Sequence, residues 1–313
     1  DCNATMATVA AIKEGLSEVS LVGGASLAYT KCSITGKSLQ TLDGLQSFPL
    51  LRSLDASSNA LTATGLGDAL GACGSLTELN LSSNALADPV SLPSLAALQA
   101  LDLSRNQLES PADFSGLPAL TSLDLSGNQV GSVSSLGKMP ALRSLKLAEN
   151  KLASAVGLEA SAPALTTLDL SSNALATFDG LALPQLTSLS VAKNGAKALD
   201  GLGGLPALAS LDLSGNLLST LEALAPLTEL PSLKVLSLLG NPMVDAVEGL
   251  EDAPPPIDNY RIEVLVLLPR LGVLDDAEVT VEDREAAAAL KAEREEAARL
   301  AAEEAAAAAA SEE

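Results

Sequence analysis

The sequence predicts an α/β solenoid: a parallel concave sheet of about ten repeats, each strand followed by a return on the opposite side, with an α-helix at the C-terminal end. Three observations predict it. An asparagine recurs in one apolar register at Asn59, Asn84, Asn106, Asn128, Asn150, Asn173, Asn194, Asn216 and Asn241, spaced by 25, 22, 22, 22, 23, 21, 22 and 25 residues. Residues are 47% hydrophobic but only 2% aromatic, with no Trp, so the core is built from thin layers of Leu, Val and Ala. Past Leu274 the repeat gives way to Ala, Glu and Arg.

The segment 1–28 reads as an N-terminal cap, with Leu16-x-x-Val19-x-Leu21 as a partial echo of the repeat. Repeats occupy 29–244. The template is Leu120-x-x-Leu123-x-Leu125-x-x-Asn128-x-Val130, and Tyr29 to Leu39 is a degenerate copy with Lys37 at the Asn position and Cys32, Ile34 and Leu39 at apolar ones. Leucines two apart in Leu123-Asp124-Leu125 face the same way, as in a strand, so the residue between them faces out. The repeating Asn stands where the strand ends, where its amide can satisfy backbone groups of the turn and of the adjacent coil. Each return is expected to be a short helix. Pro49, Pro118, Pro140, Pro163, Pro184, Pro206 and Pro231 are expected to stop that helix and fix an extended approach to the next strand. One 22-residue unit cannot bury its leucine face alone, so the units must stack; ten strands make a sheet on the order of 50 Å long.

Residues 245–276 form an insert and a C-terminal cap, the insert being the acidic, Pro-rich stretch from Asp245 to Asp258. Residues 277–313 form an Ala/Glu-rich helix. Thr280 is its expected N-cap, with Glu282, Asp283 and Glu285 near the positive end of the dipole. With only Leu290 and Leu300 in that stretch, no heptad seam is present. Residues 275–313 hold 13 acidic and 4 basic side chains, which is −9 of the chain's −21.

Composition excludes more chemistry than it suggests. Without histidine the commonest general base, Ser-His and Cys-His nucleophile pairs and most zinc or haem ligation are gone. Cys2, Cys32 and Cys73 are too few and too far apart for a disulfide framework or metal knuckle, and read as reduced thiols of an intracellular protein. No apolar run approaches the roughly 18 residues of a membrane helix, and no secretory leader is evident. A charge of −21 repels nucleic acid and favours basic protein surfaces. Thr35-Gly36-Lys37-Ser38 resembles the end of a phosphate loop, but Lys31 stands where its first glycine belongs. Gly201-x-Gly203-Gly204 lies in a return without the strand and long helix of a dinucleotide fingerprint. The expected balance is therefore no enzyme, cofactor, metal, nucleic acid, membrane or small-molecule substrate.

The outward column reads Asp55, Asn80, Asp102, Asp124, Lys146, Asp169, Ser190, Asp212 and Ser237, flanked by Ser57, Ser82, Ser104, Ser126, Ser171 and Ser214. Adjacent Asp102 and Asp124 would make a like-charge pair, yet the flat serine surroundings supply neither electrophile nor base. The column reads instead as a partner-binding stripe of Asp102, Asp124, Asp169 and Asp212, interrupted by Lys146 and Lys193 and free of aromatics.

The repeat resembles that of the leucine-rich-repeat class typified by a protein phosphatase regulatory subunit, through its 22-residue form and its Asp43-Gly44-Leu45, Asp179-Gly180-Leu181 and Asp200-Gly201-Leu202 returns. Gly240-Asn241-Pro242, Tyr260-Arg261, Leu268-Pro269 and Leu274-Asp275 resemble that class's C-terminal cap, apart from the insert. Leu27-Ala28-Tyr29-x-Lys31, the run from Glu222 to Pro242 and the Glu/Arg/Ala-rich terminal helix resemble the leucine-rich-repeat protein of axonemal radial spokes. That resemblance implies a structural subunit of the ciliary or flagellar axoneme, whose partners are other radial spoke subunits. A phosphatase-binding regulatory subunit is the alternative; it calls for aromatic and acidic residues on the concave strands.

Overall fold

A computed structural model describes residues 2–22, 26–87, 92–110, 113–245 and 256–311. Strands β1 (Leu16–Val22), β2 (Ser26–Ser33), β3 (Ser53–Asp55), β4 (Glu78–Asn80), β5 (Ala100–Asp102), β6 (Ser122–Asp124), β7 (Ser144–Lys146), β8 (Thr167–Asp169), β9 (Ser188–Ser190), β10 (Ser210–Asp212), β11 (Val235–Ser237), β12 (Val273–Leu274) and β13 (Ala277–Glu278) form one open sheet in chain order. From β2 to β12 every neighbour is parallel. The two ends turn back as antiparallel pairs, β1 on β2 and β12 on β13. The ten repeat strands are β2 to β11, and three non-repeat strands at the ends lengthen the sheet to the order of 60 Å.

In each short strand the central leucine is buried and its neighbours are exposed or half-buried, as in Leu101, Leu123 and Leu145. The ladder runs on past the strands: Leu103 N–H donates to Asp124 O at 2.8 Å, and Arg105 N–H donates to Ser126 O at 2.7 Å. Phe114 and Phe178 fill the return side of the core, each at most 2% exposed.

The returns differ from the expected short helices. Helix α2 (Leu66–Gly71) and a nine-residue 3-10 segment, Leu221–Glu229, lie within the two 25-residue spacings, and α3 (Leu158–Ser161) lies within the 23-residue one. The shorter units contain only three-residue 3-10 pieces or turns, because the arc they span leaves too few residues for a helical turn. The prolines also act differently: each is the second residue of a tight turn. Leu120 N–H donates to Leu117 O across Pro118 at 3.1 Å, and the same bond spans Pro49, Pro140, Pro163, Pro184, Pro206 and Pro231. Proline's fixed φ suits that corner as well as it suits an extended segment.

At the N-terminal end a helix, α1 (Cys2–Gly15), precedes the sheet and buries Ala11 and Ile12 in the core. Gly15 is required where it leaves for β1: a Cβ there would fall 2.2 Å from Ser33 O. The repeat echo at Leu16, Val19 and Leu21 does not continue the solenoid. β1 runs antiparallel to β2, with Val19 and Leu21 54% and 61% exposed. At the other end α4 (Tyr260–Leu267) and α5 (Val281–Ser311) close the core, α5 burying Ala287. Thr280 and Asp283 exchange two bonds as a capping box, Asp283 N–H to Thr280 Oγ1 at 3.1 Å and Thr280 N–H to Asp283 Oδ2 at 3.0 Å. Every described side chain from Lys291 to Glu303 is exposed. Most of the acidic insert, residues 246–255, lies outside the described residues.

Candidate partner-binding face

The outward column is assembled by strand register. Asp55 pairs with Asn80, Asn80 with Asp102, Asp102 with Asp124, Asp124 with Lys146, Lys146 with Asp169, Asp169 with Ser190, and Ser190 with Asp212. With strands about 4.8 Å apart, these side chains form a continuous stripe. Its first half is a shallow groove lined by Lys31, Asp55, Glu78, Asp102, Asp124 and Lys146. Lys146 Nζ meets Asp124 Oδ2 at 3.3 Å, an exposed pair of little energetic weight.

Each aspartate has a second task that the outward reading missed. Asp102 Oδ1 accepts the Ser104 N–H at 2.9 Å, and Asp55, Asp124, Asp169 and Asp212 accept the N–H of Ser57, Ser126, Ser171 and Ser214 at 2.9–3.0 Å. Asn80 does the same for Ser82. The Asp-x-Ser spacing is an Asx turn that shapes the end of each strand. One carboxylate oxygen is thus held by the backbone, while the other points outward, where that of Asp124 meets Lys146 and that of Asp212 accepts the Ser190 hydroxyl at 3.4 Å. A lysine at Asp124 or Asp169 forfeits the turn bond, whereas asparagine keeps it and removes only the charge.

Lys193 does not belong to the column. It precedes Asn194 on the loop edge, exposed, with φ at +52°. Its column is Gly36, Ser58, Ser83, Arg105, Gly127, Glu149, Ser172, Gly215 and Gly240, all with positive φ. This left-handed step turns each following Asn inward. Asn128 Nδ2 donates to Leu103 O of the preceding coil at 3.0 Å and to Leu125 O of its own at 2.9 Å, while its Oδ1 accepts Leu108 N–H at 3.1 Å. Asn59, Asn84, Asn106, Asn150, Asn173, Asn194, Asn216 and Asn241 make the same bridges. Among the described residues no buried side-chain nitrogen or oxygen lacks a partner.

The face also carries an aromatic residue, against the sequence expectation. Lys31 and Ser33 of β2 register with Ser53 and Asp55, so Tyr29, two residues earlier on the strand, lies on the same side, 47% exposed. Val19, Leu21 and Leu27 accompany it. Gly23-Gly24 between two alternating apolar runs is a hairpin signal that points to this arrangement.

Cys32 and Cys73 are free and buried; burial pushes each thiol up to about 11, so neither is poised as a nucleophile. Among the described residues no group of His, Cys, Asp or Glu is placed to hold a metal ion, and no helix is long and apolar enough to cross a membrane. Gly201 in the glycine-rich return holds φ at +95°, and a Cβ there would fall 2.5 Å from the Phe178 carbonyl carbon. Tight stacking between returns accounts for it.

Residues 143–305, just over half of the chain, match the leucine-rich repeat family, and further leucine-rich repeat matches cover residues 74–130 and 118–160. The protein belongs to the leucine-rich repeat family. Two solved structures are similar in fold. An internalin (inlF) from Listeria monocytogenes is 19% identical over 88% of this chain and 88% of that one, with a TM-score of 0.53. The leucine-rich repeat domain of APL1B is 23% identical over 77% of this chain and 73% of that one, with a TM-score of 0.58. No curated protein matches the chain. Leucine-rich repeat domains generally mediate protein–protein interaction.

Proposed function

We propose that this leucine-rich repeat protein is a non-catalytic scaffold subunit of the ciliary or flagellar radial spoke, located in the cytoplasmic axoneme, where it holds neighbouring spoke proteins in fixed register. The observation that carries the binding part of this reading is the stripe from Asp55 to Asp212, a carboxylate or amide on six of its eight strands with Lys146 and Ser190 on the other two, on a flat serine-lined surface. A preformed face costs a partner little ordering on its side of the interface. Its charge suits a basic helix or loop. The spoke assignment rests on the resemblance at the two ends of the chain, from Leu27 to Lys31, from Glu222 to Pro242 and in the terminal helix.

Fractionation of the source cell into cytosol, nuclei and demembranated axonemes, followed by blotting, tests it. Retention in the axoneme through mild salt, with loss from strains lacking spokes, is the expected result. A soluble or nuclear protein overturns it. Tyr29 beside the acidic groove favours the regulatory phosphatase-binding reading as the second choice, and a phosphatase pull-down then becomes the informative experiment.

A further inference from the structure

Exposed apolar side chains are concentrated at one end of the molecule. Of ten large hydrophobic side chains that are exposed among the described residues, five, Met6, Val19, Leu21, Leu27 and Tyr29, fall before residue 30. Four of them share one face of the hairpin, because Val19 opposes Tyr29 and Leu21 opposes Leu27. Scattered single exposures need no explanation, whereas a cluster of this kind marks a surface that meets something.

The same end carries an open strand edge. β1 is the first strand in the sheet order, so no described strand pairs with its outer side. Such edges are ordinarily blunted by Lys, Pro or inward charge. β1 contains no Lys or Pro and one charged residue, Glu18. Glu18 has φ at +53°, which leaves Val19 to Val22 as the extended run.

Charge selects the occupant. Residues 1–42 contain Lys13, Lys31 and Lys37 against Asp1, Glu14 and Glu18, so this end is neutral and the whole −21 lies beyond it. Two copies approaching through the acidic stripe or the C-terminal helix bring like charge to like. Here they do not.

We infer that β1 is a self-association edge on which a second copy of this chain places its own β1, antiparallel, about a two-fold axis through Ser20. An axis normal to the sheet keeps both outer faces on one side and sets Val19 of each copy beside Leu21 of the other. The backbone groups of both edges are satisfied at once, as an isologous contact requires. The four apolar side chains of each copy then form one strip across the seam. This inference stands apart from the spoke reading, since it concerns the chain alone.

The test is light scattering after gel filtration of the purified full chain over a concentration series. The expected result is a rise to twice the chain mass. The double variant Val19→Lys, Leu21→Lys changes two side chains already in solvent, and far-UV circular dichroism checks that it keeps the fold. It should move the dimerisation midpoint upward by at least about tenfold. Asp102→Asn with Asp124→Asn should dimerise as the parent does, which separates this edge from the acidic stripe. A monomer at all concentrations, or a double variant that dimerises unchanged, overturns the inference.

Discussion

The central coils and the C-terminal cap meet the same demand with different chemistry. In the coils, the buried carbonyls at the end of each strand are bridged by a neutral side-chain amide from the following coil. In the cap no further coil follows, and ionised side chains take over. Leu213 N–H donates to the backbone oxygen of Ser237 at 2.9 Å; one coil later the equivalent Leu238 N–H donates to Asp275 Oδ1 at 2.6 Å. Tyr260 Oη donates to the other Asp275 oxygen, and burial, reinforced by that carboxylate, raises the tyrosine's pKa. Arg261 binds Leu274 O at 3.0 Å, Glu278 O at 2.8 Å and the Asp283 carboxylate at 3.1 Å. Arg294 grips Glu263 of α4 with both nitrogens, at 2.8 and 2.6 Å. A neutral ladder is indifferent to pH and salt, and a charged clasp is not.

Three substitutions would break or sharpen that contrast. The largest effect is expected from Leu123→Asp, which places an unpaired carboxylate where Leu123 is wholly buried. A loss of more than about 4 kcal/mol is expected, read as collapse of the urea transition. Asn128→Ala comes next. It strips partners from Leu103 O, Leu125 O and Leu108 N–H, and about 2–4 kcal/mol should be lost at any pH from 4 to 8. A loss that varied strongly with pH would show that the ladder is not the neutral device described.

The smallest and most conditional effect belongs to the cap. The Thr280 N–H, and then Arg261, hold Asp283 below its usual carboxylate value. Because the folded pKa is the lower one, this stabilisation is present in full above the ordinary carboxylate range and is lost as pH falls through the depressed value. Amide hydrogen exchange should therefore quicken in α4 and the start of α5 at acid pH before it quickens in β6 to β8. Arg261→Met should quicken cap exchange already at neutral pH and reduce its further rise in acid. Equal acceleration of coils and cap would erase the distinction.

What was legible in the sequence was what repeats. The Asn register fixed the strands, their order and which leucines are buried, since nine copies of one physical requirement cannot be misread together. The returns were less legible because Leu-Pro-Ala-Leu is compatible with both an extended approach and a tight corner, and the deciding bond runs between the two leucines rather than to the proline. The outward position of the aspartates follows from periodicity, but the Asp-x-Ser turn does not: the same residues that face outward also bind their own backbone. Least legible was the N-terminal end. Leu16, Val19 and Leu21 have the spacing of a repeat, and only the alternation of Val19 and Leu21 with Leu27 and Tyr29 shows that they belong to a hairpin.

The asparagine ladder also makes the molecule a spring of unequal links. Tension applied along the stack is carried by every seam in series, so each bears the same force while their extensions add. From Asn59 to Asn241 every seam has a side-chain amide across it. The coil of β2 has Lys37 in that position, and its Nζ reaches only the exposed Glu14, at 3.3 Å. Under load the seam between the N-terminal hairpin and the helix that underlies it is therefore where stretching begins, and the charged clasp at the opposite end yields first when the load is applied in acid.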